Sequence, residues 1–317
     1  MKIVITGSIA FDYIMSFPGH FTEHLQLAAR MDKVSLSFLV DDMRRVRGGC
    51  APNIAYSLAL LGERPTVMGT AGQDFGPYRA WLEAQGVDTS LVAEIPDLFT
   101  ASFFVNTDLD QNQIASFYTG AMARARDLSF HDLAEKPDLV IISPNDPIAM
   151  EKYAVECKEL DIPYIYDPSQ QVVRVCGESL RLGVEGADIL IVNDFEYELL
   201  KERTGMSAEQ VRAAVKRAVI VTRGADGSDI WTDDIVRVPV VPPAQIADPT
   251  GVGDAYRGGL MKGLALGLPW EVCGRIGALA ATYTLELLGP QSHHYTLAEF
   301  VARYKSAFGE DAFTKNA

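Results

Sequence analysis

From residue 137 onward the chain alternates short β-branched runs with segments of helical spacing, and this alternation constrains the fold more than any other feature. The runs "DLVIIS" (138–143), "PYIYD" (163–167), "DILIVN" (188–193) and "AVIVTR" (218–223) are almost continuously apolar. Strands buried on both faces read this way, and parallel strands need crossover helices that cover those faces. The intervening segments 147–160, 194–204 and 207–217 carry apolar residues at helical spacing. A mostly parallel sheet between two layers of helices is therefore expected. "KIVITG" (2–7) adds another buried strand, and "PNIAYSLALLG" (52–62) reads as a helix with Pro52 near its start and Gly62 as its stop. The last third is helical over 253–267, 270–288 and 296–307, and only the final few residues read as loose.

Two segments break the alternation. Residues 13–47 and 99–118 contain "SLSFLV" and "TASFFVNTDLDQNQIASFY", which read as strands and polar turns without crossover helices. They predict either a small antiparallel sheet placed as a lid or an extra edge hairpin on the main sheet. With the lid reading, residues 1–12, 48–98 and 119–310 form an α/β core, and 13–47 with 99–118 form a β lid.

Composition excludes several classes of function. A chain of 317 residues can bury one large core with a small appendage. A formal net charge of -14 argues against nucleic acid as a partner, since polyanion binders carry a basic footprint. A small anion is compatible with it, because local N–H dipoles outweigh distant, screened surface charge. No apolar run reaches the roughly 20 residues of a membrane helix, and "MKIVITG" lacks the apolar stretch of a signal peptide, so no membrane partner and a cytoplasmic location are expected. Cys50, Cys157, Cys176 and Cys273 are scattered and read as reduced thiols, most of them buried. Trp81, Trp231 and Trp270 read as core anchors. Neither G-x-x-x-x-G-K-[ST] nor G-x-S-x-G occurs.

The stretch "ADPTGVGDAYRGG" (247–259) places a glycine turn and an acid at the start of a helix. Unpaired N–H groups collect there and suit an anion. Asp254 is either an ordinary helix acid or a carboxylate that takes a proton from a hydroxyl while Thr250 to Gly253 hold a phosphoryl group. "TRGADG" (222–227) follows a buried strand, where open α/β sheets bind nucleotides, yet it reads equally as a hairpin turn into "SDIW". Asn193 and Glu196 could cap a helix, or Glu196 could hold Mg²⁺ through water. Asp12, Gly48, Gly49 and Asn53 offer an acid, two backbone amides and a side-chain amide, a set suited to paired hydroxyls, although each alone fits a turn or a cap. His293-His294 reads as loop or adenine-side packing.

Together "GSIAFD" (7–12), "GGCAPN" (48–53), "NDFE" (193–196), "TRGADG" (222–227) and "DPTGVGD" (248–254) resemble the ribokinase-like, PfkB-type kinases of sugars and nucleosides across nearly the whole chain. The resemblance implies a three-layer α/β/α sandwich with a small β lid, and transfer of the ATP γ-phosphoryl to a primary hydroxyl. It implies Asp254 as catalytic base and Gly251, Val252 and Gly253 as anion hole. Asp12, Gly48, Gly49 and Asn53 would hold ribose hydroxyls, with Gln113 and Asn145 completing the substrate set. Thr222, Gly224, Gly227, Thr250 and Ala278 would line the ATP cleft together with Gly251 and Gly253. Asn193 and Glu196 would lie toward phosphate and Mg²⁺. Asp248 and Thr250, with Gly289 across from them, match positions that border a monovalent-cation (K⁺) site in some members.

Within the family, "NTDLDQNQIASFYTGAM" (106–122) and "GPQSHHYT" (289–296) look more like nucleoside kinases of the adenosine-kinase type than like ribokinase. Cys50 stands where ribokinases place a lysine, and Asn145 where they place a glutamate. Ser8 replaces an asparagine of the animal adenosine kinases, and the lid near Gln113 lacks their arginine. The expectation is a nucleoside 5′-kinase, adenosine first with inosine or guanosine as further substrates, monomeric or dimeric through the lid. Lid aromatics Phe103, Phe104, Phe117 and Tyr118 are candidates to wall the base. A sugar kinase for ribose or a phosphorylated ketohexose, and a non-catalytic nucleotide-binding member, are the alternatives.

Overall fold

The computed structural model describes residues 1–28 and 35–310. Residues 29–34, inside the first expected insertion, and the C-terminal residues expected to be loose, 311–317, lie outside the described residues. In chain order the elements are β1 (Ile3–Thr6), β2 (Ala10–Ser16), α1 (Phe21–Ala28), β3 (Asp42–Gly48), α2 (Cys50–Leu60), β4 (Thr66–Gly72), α3 (Gly76–Ala84) and β5 (Asp88–Ile95). Then follow β6 (Ala101–Thr107), β7 (Gln113–Tyr118), β8 (Leu139–Ile142), α4 (Pro147–Glu159), β9 (Tyr164–Tyr166), α5 (Gly177–Val184), β10 (Ile189–Asn193) and α6 (Asp194–Thr204). The chain finishes with α7 (Ala208–Ala214), β11 (Ala218–Thr222), β12 (Ser228–Trp231), β13 (Ile235–Val238), α8 (Val252–Ala265), α9 (Trp270–Leu285) and α10 (Leu297–Phe308).

Nine strands form the large sheet in the order β13-β12-β11-β10-β9-β8-β1-β4-β5, parallel from β5 to β11 with β12 and β13 antiparallel at one edge. Strand alternation sends neighbouring residues into two cores. Ile3 and Ile5 of β1, with Ile189 and Ile191 of β10, pack with residues of α2 and α8. Val4, Leu190 and Val192 pack on the opposite face with α4, α5, α6 and α7. Trp81, Trp231 and Trp270 are partly buried against these cores. All four cysteines are free, Cys157 and Cys273 buried, Cys50 half-buried and Cys176 exposed. No helix among the described residues is long and apolar enough to cross a membrane.

The second sheet has the order β3-β2-β6-β7, with β2 and β6 parallel and both edge pairs antiparallel. It draws its strands from both segments that broke the alternation. Three features differ from the sequence expectation. The small sheet is mixed rather than antiparallel, because β2 and β6 come from separate segments and run side by side in the same direction. "SLSFLV" is not a strand: its Phe38 packs edge-on against Phe17, Phe21 and His24, so the apolar pattern serves an aromatic cluster rather than a ladder. The same cluster holds α1, a helix that periodicity did not flag.

Candidate active site

Helix α8 begins on a turn that leaves its donors free. Gly251 is left-handed (φ 79°), and a Cβ there would lie 2.4 Å from Pro290 Cβ, so no side chain fits without displacing the Pro290 loop. Two of the four N–H groups expected to face an anion are already used. Thr250 N–H donates to Asp248 Oδ1 (2.9 Å) and Val252 N–H to the Pro249 carbonyl (3.3 Å), because Asp248 closes a tight turn over its own backbone. The N–H groups of Gly251, Gly253 and Asp254 have no protein acceptor among the described residues. The donors left free for an anion are therefore those of Gly251, Gly253 and Asp254 at the first turn of α8, with Val252 and Thr250 shaping the turn.

Asp254 stands in that turn, and α2 packs against α8 beside it. Asn53 Nδ2 donates to Asp254 Oδ2 (2.9 Å), and Gln291 Nε2 donates to Asn53 Oδ1 (2.7 Å) and to Tyr78 Oη (2.6 Å). Tyr78 in turn donates to the Gly48 carbonyl (3.0 Å), so a chain of side chains holds Asp254 and the Gly48–Gly49 turn in one frame. Burial pushes the Asp254 carboxyl up to about 6, against the pull of Arg257 and of Asn53. Burial also raises Asp12 to about 6, with Asp248 adding to the shift.

Asp12 projects from β2 opposite Val46, and its carboxylate lies over Gly48, the partner of Ala10; a Cβ on Gly48 would come 2.8 Å from Asp12 Oδ2. Gly49, with φ 96°, has no room for a side chain beside the Ser8 carbonyl and Ala10 N–H. A cavity of about 690 Å³ opens between these groups, walled by Asp12, Gly49 and Asn53 on one side and Gly251, Gly253 and Asp254 on the other. Its volume suits a small molecule with several hydroxyls, and a proton acceptor, Asp254, stands on its wall beside the free N–H donors of the same turn.

The sequence matches the pfkB family carbohydrate kinases over residues 3–295. The chain belongs to that family. A nucleoside kinase of Methanothermobacter thermautotrophicus is 29% identical over 310 residues, 97% of this chain and 96% of that protein. The nucleoside kinase of Burkholderia thailandensis bound to inosine superposes with a TM-score of 0.87 at 38% identity, covering 98% of this chain and 99% of that one. The same protein has also been solved with ADP-inosine, at a TM-score of 0.85. The Methanocaldococcus jannaschii nucleoside kinase, an archaeal member of the ribokinase family, gives a TM-score of 0.86 at 27% identity over 96% of this chain and 99% of that one.

Not every residue suggested by the pfkB pattern lies in this cavity. Gln113 stands at the far end of β7, exposed, with Nε2 reaching Thr107 Oγ1 (3.5 Å), four residues along the strand from the cavity residue Phe117. Asn145 is buried behind the cavity residue Pro144; its Oδ1 accepts from Asp146 N–H, and its Nδ2 has no partner among the described residues. Ala278 is packed into the core on α9. Asn193 and Glu196 form a complete capping box at α6, and Glu196 Oε1 also accepts from Ser169 Oγ (3.3 Å). Thr222, Gly224 and Gly227 form the β11–β12 hairpin at the carboxyl end of the sheet, beside Asn193. Both Asp248 oxygens accept backbone N–H groups, from Thr250 and from Gly289 (2.9 Å each). His293 is a core residue, fully buried against Tyr56, Ser57 and Thr284, and burial holds it down to about 4. Of the small-sheet aromatics, Phe103 and Phe117 face the cavity, whereas Phe104 stacks on Tyr13 on the other face.

Three residues of the site escaped sequence reasoning. Gln291 lay inside a quoted motif without a role. Arg257 is one turn beyond Gly253 on α8, and Asp167 directly follows the carboxyl end of β9, where ligand-facing residues of α/β sheets sit. Both signals were readable as positions, but their pairing across 90 residues was not.

Proposed function

We propose that this chain is an ATP-dependent nucleoside kinase that phosphorylates the 5′-hydroxyl of a nucleoside and releases ADP. The observation that carries the reading is Asp254: a half-buried carboxylate with a raised proton affinity, hydrogen-bonded to Asn53, beside three free N–H groups and across the cavity from Asp12. Asp12, Gly49 and Asn53 would hold the ribose hydroxyls and aim the 5′-oxygen at Asp254. Asp254 would take its proton as the free N–H groups of Gly251 and Gly253 draw charge from the phosphoryl group. ATP supplies that group when bound, over the carboxyl ends of β10 and β11 near Asn193, Thr222, Gly224 and Gly227. Glu196 keeps lone pairs for a water of Mg²⁺ beyond its capping bonds, and Asp248 with Thr250 and Gly289 would border a monovalent cation. The segments 13–47 and 99–118 would act as a lid that excludes water during transfer.

The inosine and ADP-inosine complexes of the Burkholderia thailandensis relative support a purine nucleoside, with adenosine, inosine and guanosine all in the expected set. ADP release from MgATP, measured over a panel of nucleosides, ribose and fructose 6-phosphate, tests the reading. A purine nucleoside should give the highest kcat/KM. A faster reaction with ribose or fructose 6-phosphate would overturn it.

A further inference from the structure

We infer that Arg257 is a further catalytic donor of the anion hole, its guanidinium braced from behind by Asp167 and presenting Nη1 to the phosphoryl group in transit. The inference rests on the kinase reading and adds to it a side-chain cation that neither the glycine turn nor Asp254 provides.

Side chains of an α-helix lean toward its N-terminus, so an arginine one turn into α8 returns to the helix start. Arg257 does so. A Cβ placed on Gly253 would lie 2.8 Å from Arg257 Nη1, and Gly253 has no left-handed φ that would itself demand glycine. The missing side chain at 253 is therefore explained by the guanidinium it leaves room for. Arg257 belongs to the same cavity wall as Gly251, Gly253 and Asp254.

The remainder of the guanidinium is committed to Asp167. Nη2 donates to Asp167 Oδ1 (2.6 Å), and Nε lies in close contact with Oδ2. This two-point grip fixes the plane of the fork and leaves Nη1 without a protein acceptor among the described residues. Arg257 is 6% exposed and Asp167 fully buried. An ion pair at that depth gains little net stability, because desolvation offsets the attraction, so stability alone is a weak reason to keep it beneath the cavity. Placement beside the hole supplies a stronger one. Asp12 and Asp254 both line the cavity; of its two lining cations, Arg174 comes from the segment after β9, and Arg257 is the one held against the α8 turn.

The test compares Arg257→Lys, Asp167→Asn and the paired Asp167→Asn/Arg257→Gln, which removes the charge without stranding a buried carboxylate. Inosine affinity by calorimetry, within about threefold of the parent, establishes that the cavity is intact. The paired variant should lose on the order of 10²-fold in kcat, the range for one lost donor, with the inosine KM changed by less than about threefold. Inhibition by ADP with aluminium fluoride, which mimics the phosphoryl group in flight, should weaken at least tenfold in the paired variant and in Arg257→Lys. Should the paired variant not bind inosine, Arg257→Lys is judged by the same two readouts, since a lysine cannot both grip Asp167 and reach the hole. Unchanged kcat and unchanged aluminium-fluoride inhibition in a variant that binds inosine would overturn the role of Arg257. Asp254→Asn separates the two levels: full turnover there overturns the kinase reading, whereas an inactive Asp254→Asn beside active Arg257 variants overturns only this inference.

Discussion

Asp254 carries opposite signs for activity and for stability. In its proposed role as base it would work only when ionised, so kcat/KM should fall tenfold per pH unit below about 6, the value to which burial lifts its carboxyl. The folded state, however, binds the proton more tightly than the unfolded chain, whose carboxyl titrates near 3.8. Folding is therefore favoured by this group below about 4, and that contribution is lost as pH rises from 3.8 to about 6. Asp254→Asn should thus cut turnover on the order of 10²-fold or more while raising stability at pH 8 by about 1–3 kcal/mol. Thermal unfolding at pH 4 and pH 8 checks the second half, since the gap between variant and parent should nearly close at the lower pH. The residue was legible because a glycine turn before an acid is a local signal. Its partners Asn53 and Gln291 arrive from 201 residues earlier and from beyond the next helix, and no local pattern announces that meeting.

At the scale of elements, the start of α8 does the work. Gly251→Ala forces a Cβ into left-handed backbone and against Pro290, so the turn must open and the free N–H groups must re-aim. We expect a loss of about 10²-fold in kcat with a stability cost of about 1–3 kcal/mol, measured by steady-state kinetics and thermal unfolding. Elements with one job were readable in the sequence. Strands β8, β10 and β11 appear where apolar runs predicted them, because burial on both faces leaves a continuous signature. Segments with two meanings were not. "TRGADG" is a hairpin as its local pattern allowed, and it also sits at a strand end where a ligand would bind. "SLSFLV" looked like a strand because an aromatic cluster and a half-buried ladder require the same residue types.

For the whole molecule, the site exists because two sheets meet. The carboxyl ends of β1, β8 and β9 supply Ser8, Pro144 and the segment after Asp167, while the small sheet lays Phe103 and Phe117 across the opening. If that sheet closes over the nucleoside, Phe117→Ala should raise the nucleoside KM on the order of tenfold while moving the ATP KM little. Paired titrations of each substrate check this, and equal shifts in both would count against a lid specific to the nucleoside.

The sequence by itself determined the layered α/β architecture, the turn that frees the donors of α8, and the identity of the acid among them. Each is set by interactions within a few residues: side-chain periodicity, a glycine's freedom at positive φ, a short side chain closing its own turn. Tertiary structure decided which residues share the cavity. It brought Asn53 and Gln291 to Asp254 and Asp167 to Arg257, left Gln113 on an open strand, and turned His293 into core. Such contacts depend on how strands order within a sheet and how helices dock on it, and that order arises from burying the whole apolar surface at once rather than from any one segment.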